Sequence, residues 1–187
     1  MEKFMDDHEA IRRLKTGQID GLEVLVNRYQ VGAVRAAFLI THDQALAEDV
    51  VQEIFIRLYQ RIRHFDVTRP FKPYLMRSVV NASLNAIRRD GKLVSLEADT
   101  TSLEILMEHA ASVESQVEYN QLSGEILQAL SKLSPRHRAV IVQRYYLEMS
   151  EQEMAQALDT APGTIKWLLN AARTRLRELL GPERSAK

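Results

Sequence analysis

The stretch SEQEMAQALDTAPGTIKWLLNAARTRL, residues 150–176, decides how this chain is read. Ser150 and Glu153 stand three apart ahead of Met154, Ala157 and Leu158, the spacing of a capping box that opens an amphipathic helix. Asp159-Thr160-Ala161-Pro162 breaks that helix, and a second is expected from about Gly163 to Leu180. On the second helix Ile165, Leu168, Leu169, Ala172 and Leu176 recur at threes and fours, so they share a face that must pack. Thr164, Lys166, Trp167, Asn170 and Arg173 point elsewhere. Helix, tight break and helix make a helix-turn-helix layout, whose second helix enters the major groove of duplex DNA. Helical hairpins that never touch DNA share the pattern. The cap, the break and the Gly-Thr start occurring together favour the DNA-binding form.

Working outward, Ser134-Pro135 is a cap followed by a proline at the first helical position. Before it Leu122, Ile126, Leu127 and Leu130 mark another amphipathic helix. In the N-terminal half Asp20 is expected to cap a helix carrying Leu22, Leu25, Val26 and Tyr29. Asp43 is expected to cap the next, with Leu46, Val50, Ile54 and Leu58 on one stripe. Arg63 to Pro70 reads as a loop. Pro73 suits the first turn of a third helix, running to about Arg89 and ended by Asp90-Gly91. No strand pattern, internal repeat or low-complexity tract occurs. The expected fold is all-α: two small helical domains, residues 1–91 and 120–187, joined by an acidic flexible linker, residues 92–119. Each half lies near the lower size limit for an independent core.

Net charge is zero, but its distribution is uneven. From Arg57 to Lys92 nine basic residues face only Asp66 and Asp90. From Leu93 to Tyr119 six acids stand with no Lys or Arg, and from Asn120 onward ten basic residues oppose seven acids. Two basic blocks around an acidic segment suggest two nucleic-acid surfaces; ordinary solvated helix faces give the same count. Tyr59, Phe65, Phe71 and Tyr74 interleave the first block. Basic groups neutralise phosphate and aromatic rings stack on unpaired bases, although such rings more often pack in a core, as expected here for Phe71 and Tyr74.

Other function classes find little support. Cysteine is absent, which removes disulfides and Cys-ligated metal. His8, His42, His64, His109 and His137 lack metal-site spacing, no Gly-rich phosphate loop occurs, and the serines lack a nucleophile-elbow context. We expect no catalytic residue, no metal and no cofactor. The charged start from Met1 to Leu14 is unlike a signal peptide, and no run approaches the roughly 20 apolar residues of a membrane span. A cytoplasmic location without membrane insertion is expected.

The motifs resemble those of extracytoplasmic-function (ECF) sigma factors, the small group of the sigma-70 superfamily. Ser150 to Leu158, then Gly163-Thr-Ile-Lys166 and Ala172-Arg173 with Arg175-Leu176, resembles their region 4. Ala47-Glu-Asp-Val-Val-Gln-Glu-Ile-Phe55 resembles the region 2 helix that meets the polymerase clamp. Arg69-Pro-Phe-Lys-Pro-Tyr-Leu75, Arg77 and Asn81 resemble the promoter-melting segment. The likeness runs from about residue 5 to 181 in the family's order. It implies a protein that binds core RNA polymerase and promoter DNA and answers to an anti-sigma factor. It implies polymerase contact by Asp49, Gln52 and Glu53, which share one helix face. It implies contact with the melted minus-ten element by Phe65, Arg69, Arg77, Asn81, Asn85, Arg88 and Arg89. The minus-thirty-five element would fall to Thr164, Lys166, Trp167, Asn170 and Arg173.

The chain also departs from the family. Trp167 stands where Ser or Arg is usual, Leu168 and Ala171 replace common arginines, and Tyr74 replaces a usual Trp. Lost positive charge on the last helix implies unusual promoter specificity, weaker duplex affinity, or a helix partly given to protein contact. Trp167 is read either as an interface residue or as packed on a neighbouring helix. Two rival readings fit the residues: a helix-turn-helix regulator acting without polymerase, and a sigma mimic that sequesters an anti-sigma factor.

Overall fold

The computed structural model describes residues 5–90 and 124–181, and every regular element among them is helical. The expected linker, residues 92–119, lies outside the described residues.

The chain opens with a helix that the sequence reading missed, α1 (Asp7–Lys15). Asp6 caps it by accepting the Glu9 N–H at 2.8 Å, and Ala10, Ile11 and Leu14 are buried. The three-residue spacing of Asp6 and Glu9 was the available signal. Next comes α2 (Asp20–Thr41), with Ile19 at its cap position and no side-chain cap bond. Asp20 therefore belongs to the first turn rather than capping it. It accepts a 2.7 Å hydrogen bond from Arg13 Nη1 and so ties α2 to α1. The two helices cross closely at Gly21, where a Cβ would lie 2.2 Å from the Ala10 carbonyl oxygen.

Helix α2 is the spine of the N-terminal bundle. Ala33, Ala36, Ala37 and Ile40 are wholly buried along it, and small residues let α3 and α4 approach. His42 ends it in the left-handed region, φ 55°. Asp43 then caps α3 (Gln44–Arg61) by accepting the Leu46 N–H at 2.9 Å, as its sequence implied. Val50, Ile54 and Leu58 are buried and Leu46 is half-buried. A 3₁₀ turn (Ile62–His64) and the 65–70 loop lead to α4 (Phe71–Asp90), which starts two residues before Pro73.

The C-terminal part begins with α5 at 124–131, followed by α6 (Pro135–Ile141) with Ser134 as its cap. A π-helical turn (Val142–Tyr146) ends α6, then come α7 (Glu151–Ala157) and α8 (Pro162–Leu180). Ser150 and Glu153 form the full capping box. The break between α7 and α8 turns through Asp159 at φ 48°, a left-handed position that Asp tolerates better than most residues.

Buried apolar side chains form two clusters. The first fills the α1–α4 bundle, and the second holds α7 and α8 together around Met154, Ile165 and Leu169. Helix α6 and its π-helical turn serve both: Val140 and Ile141 join the second cluster, while Ala139 and, on the turn, Val142 join the first. Leu127 of α5 also joins the first, and the Tyr146 hydroxyl donates to the Gly32 carbonyl at 3.5 Å. The C-terminal part is thereby docked on α2 and α4.

Candidate nucleic-acid interface

On α8 the expected division of faces is realised. Ile165, Leu168, Leu169 and Ala172 are buried, and Leu176 is half-buried. Thr164, Lys166, Trp167 and Asn170 are all exposed. Trp167 is 66% exposed, so its indole is not packed on a neighbouring helix. Pro162 fills the first helical position, and nothing lies within 4 Å of a Cβ added at Gly163, which leaves the helix start open to a ligand. Arg173 differs from the other four. It is half-buried, its Nε donates to the Tyr145 hydroxyl at 2.8 Å, and its guanidinium carbon lies 5.6 Å from the centroid of that ring.

The basic block of the N-terminal bundle occupies the end of α3, the following loop and α4. Arg69, Arg77, Asn85, Arg88 and Arg89 are exposed and Asn81 is half-buried. Phe65 is buried at 8% exposure, edge-on to Phe71 at 6.0 Å and to Tyr74 at 4.9 Å. Phe71 is core, as expected, whereas Tyr74 is 42% exposed, a correction to the reading of both as packing. Tyr74 lies in the first turn of α4, with its ring edge-on to Phe65. Leu58, Arg61, His64, Phe65, Asp66, Arg69 and Tyr74 surround an open cavity of about 350 Å³. Asp66 shapes that rim by accepting from the Thr68 hydroxyl at 2.7 Å and the Thr68 N–H at 3.0 Å, bonds that hold its carboxyl below the usual range. A second groove, about 370 Å³, has Arg69, Pro73, Tyr74 and Arg77 on one wall and Met149, Glu153 and Gln156 on the other.

On α3, Asp49 and Gln52 are exposed, while Glu53 is half-buried and ion-paired to Arg57 one turn on. Among the described residues no group of three or more His, Cys, Asp or Glu is placed to hold a metal ion. No helix among them is long and apolar enough to cross a membrane.

Two family models match this chain: Sigma-70 region 2 over residues 25–93 and Sigma-70 region 4 over residues 123–176. The ECF RNA polymerase sigma factor SigW of Bacillus subtilis is 31% identical over 178 residues, 92% of this chain and 95% of that protein. The chain belongs to the ECF sigma factors. A sigma factor of this group binds core RNA polymerase and promoter DNA to direct transcription initiation, and sigma factors are regulators rather than enzymes. The RNA polymerase sigma-E factor of Streptomyces avermitilis is 29% identical over 164 residues, 88% of this chain and 87% of that one. Among solved structures, the fold matches CnrH in complex with the cytosolic domain of CnrY, with TM-score 0.64, 22% identity, 96% of this chain and 99% of that one. It also matches RpoE from Bartonella quintana in complex with the anti-sigma factor NepR, with TM-score 0.60, 23% identity, 79% of this chain and 89% of that one.

Two features of this sigma factor escaped the sequence reading. Between α2 and α3 runs an open groove of about 940 Å³, lined by Leu22, Val26, Val51 and Phe55 beside Gln52. On its rim Val31, Ile56 and Tyr59 are 56%, 50% and 49% exposed. Gln52, Ile56 and Tyr59 are spaced i, i+4, i+7, so a stripe of exposed apolar residues continuing the Gln52 face was visible in principle. The other is Tyr145, 59% exposed, whose partner lies 28 residues away.

Proposed function

We propose that this ECF sigma factor distributes its work over three surfaces. Residues 1–91 bind core polymerase and the melted minus-ten element, residues 120–187 bind the duplex minus-thirty-five element, and the acidic segment 92–119 links them. Asp49, Gln52 and Glu53 dock on polymerase together with the apolar stripe of Ile56 and Tyr59. Arg69, Arg77, Asn81, Asn85, Arg88 and Arg89 engage the minus-ten strand. Phe65 acts from beneath, as the floor of a cavity able to receive an unstacked base. Thr164, Lys166, Trp167, Asn170 and Arg173 meet the minus-thirty-five duplex. The observation that carries this reading is the division of α8, with its apolar stripe sealed in the core and four consecutive-turn polar and aromatic residues left facing solvent. The protein acts in the cytoplasm, has no catalytic activity of its own and is held by an anti-sigma factor. The complexed states of CnrH and of RpoE support that partner.

Run-off transcription by core polymerase with and without the protein, on a template library randomised at the minus-thirty-five element, tests the reading. Lys166→Ala and Asn170→Ala should change which sequences are used, since base contacts discriminate by about 1–3 kcal/mol. Arg175→Ala should weaken all templates alike. Specific duplex binding without polymerase, and no initiation with it, would instead mark a free-standing regulator.

A further inference from the structure

Tyr145 is an exposed aromatic with no packing role to explain it. It sits on a turn that is fixed by its own backbone. The Leu147 N–H donates to the Val142 carbonyl at 3.0 Å, the Met149 N–H to the Gln143 carbonyl at 2.9 Å, and Arg144 Nη1 to the Met149 carbonyl at 3.1 Å. The π-helical step at Val142–Tyr146 inserts an extra residue per turn, which rotates Tyr145 out of the register of α6. Its hydroxyl then accepts the Nε–H of Arg173 on α8, and its ring lies beside the guanidinium. A guanidinium has five N–H donors in one plane. With Nε taken, the two terminal amino groups remain, and they form the end that grips a phosphate in bidentate fashion. Lys166 and Asn170 precede Arg173 by seven and three residues, so all three share one side of α8.

We propose that Tyr145 is a positioning residue for promoter binding: it holds Arg173 by Nε so that the terminal amino edge meets a backbone phosphate beside the minus-thirty-five element. The inference rests on the reading of α8 as the duplex-binding helix. Arg173 is thereby set apart from Arg175, which pairs with Glu178 at 2.9 Å on the exposed side of the same helix. A preoriented guanidinium loses less side-chain freedom on binding than a free one.

The test uses full-length protein reconstituted with core polymerase. The probe is a duplex promoter fragment that the wild-type holoenzyme selects from a library randomised at the minus-thirty-five element, with affinity measured over a series of salt concentrations. Y145F removes the accepting oxygen and keeps the ring. It should weaken binding about three- to tenfold, the worth of one hydrogen bond, with an unchanged thermal midpoint and unchanged sequence preference. R173A should weaken binding at least as much and lower the salt slope by about one. Adding Y145F to R173A should cost nothing more. Wild-type affinity for Y145F beside a weakened R173A would overturn the positioning role alone. Equal losses from Y145F in both backgrounds would overturn it too, since Tyr145 would then touch DNA itself or merely support the fold. Unchanged affinity and slope for R173A would remove Arg173 from the duplex interface, and the reading of that residue would fall with the proposal.

Discussion

Single side chains separate sharply by whether they face a partner or the core. Asp49 is exposed on α3 beside the groove between α2 and α3. Asp49→Lys should leave the unfolding midpoint unchanged and reduce core polymerase affinity, because reversing a charge at an interface adds repulsion to the lost contact. Wild-type polymerase affinity in the folded variant would remove Asp49 from that surface. His42 is the opposite case. It is 7% exposed, and burial first, with Arg138 nearby second, pushes it down to about 4. A lowered histidine folds as the neutral form, so its stabilisation is complete above the ordinary value of 6.5 and is lost as pH falls towards 4. Between 6.5 and 4 that loss is at most about 1.4 kcal/mol per pH unit, and it stops growing below 4, where both states carry the proton. His42→Asn keeps a residue that tolerates the left-handed backbone and removes the titration. Urea midpoints between pH 7 and 4.5 should fall more steeply for the wild type, and parallel curves would count against a buried neutral imidazole.

Among the elements, α7 and α8 show how much a few caps and one stripe can specify. The capping box at Ser150 joins its hydroxyl to the Glu153 N–H at 3.3 Å, while the Glu153 carboxylate accepts the Ser150 N–H at 2.8 Å. The Ser150 N–H, and its hydroxyl at 2.7 Å, both donate to the Glu153 carboxylate and hold it below the usual range. Ser150→Ala should cost about 1 kcal/mol in urea unfolding, and a cost near zero would mean that tertiary contacts alone hold the helix start. On α8 the exposed Trp167 makes a different forecast. Trp167→Ala should leave stability within about 0.5 kcal/mol of wild type and shift the preferred minus-thirty-five sequences. A large loss of stability with unchanged preference would show the indole to be packed. Both helices were legible in the sequence because caps, breaks and apolar spacing act within a few residues. Helix α1 carried the same kind of signal in Asp6 and Glu9, but its many charges mask the short apolar set of Ala10, Ile11 and Leu14.

Across the whole molecule, the apolar joint between bundle and helix-turn-helix encloses a buried charge. Arg138 of α6 is 1% exposed, and its Nε and Nη1 have no hydrogen-bond partner among the described residues. Burial alone lowers it to about 10. A buried guanidinium with two nitrogens left without a partner costs desolvation that the packing around it must offset. The same arrangement sets Glu153 and Gln156 of α7 across a shared groove from Arg69 and Arg77. Arg138→Met keeps an unbranched apolar stem, and should raise the unfolding free energy in urea by about 1–4 kcal/mol. A lower midpoint would show that the guanidinium stabilises the joint. No spacing rule reveals this residue, since Arg138 reads in sequence like any basic residue near a helix start. Local chemistry alone determined the all-helical class, the caps at Asp43, Ser134 and Ser150, the buried and exposed faces of α8, and the order of motifs that marks a sigma factor. Only the tertiary structure decided that Phe65 lies under Tyr74, that Arg173 is tied to Tyr145, and that α6 serves two cores. Helix periodicity and capping depend on neighbours three or four residues away, whereas burial and pairing depend on which elements meet, and the partners of Arg173 and Tyr146 lie 28 and 114 residues distant.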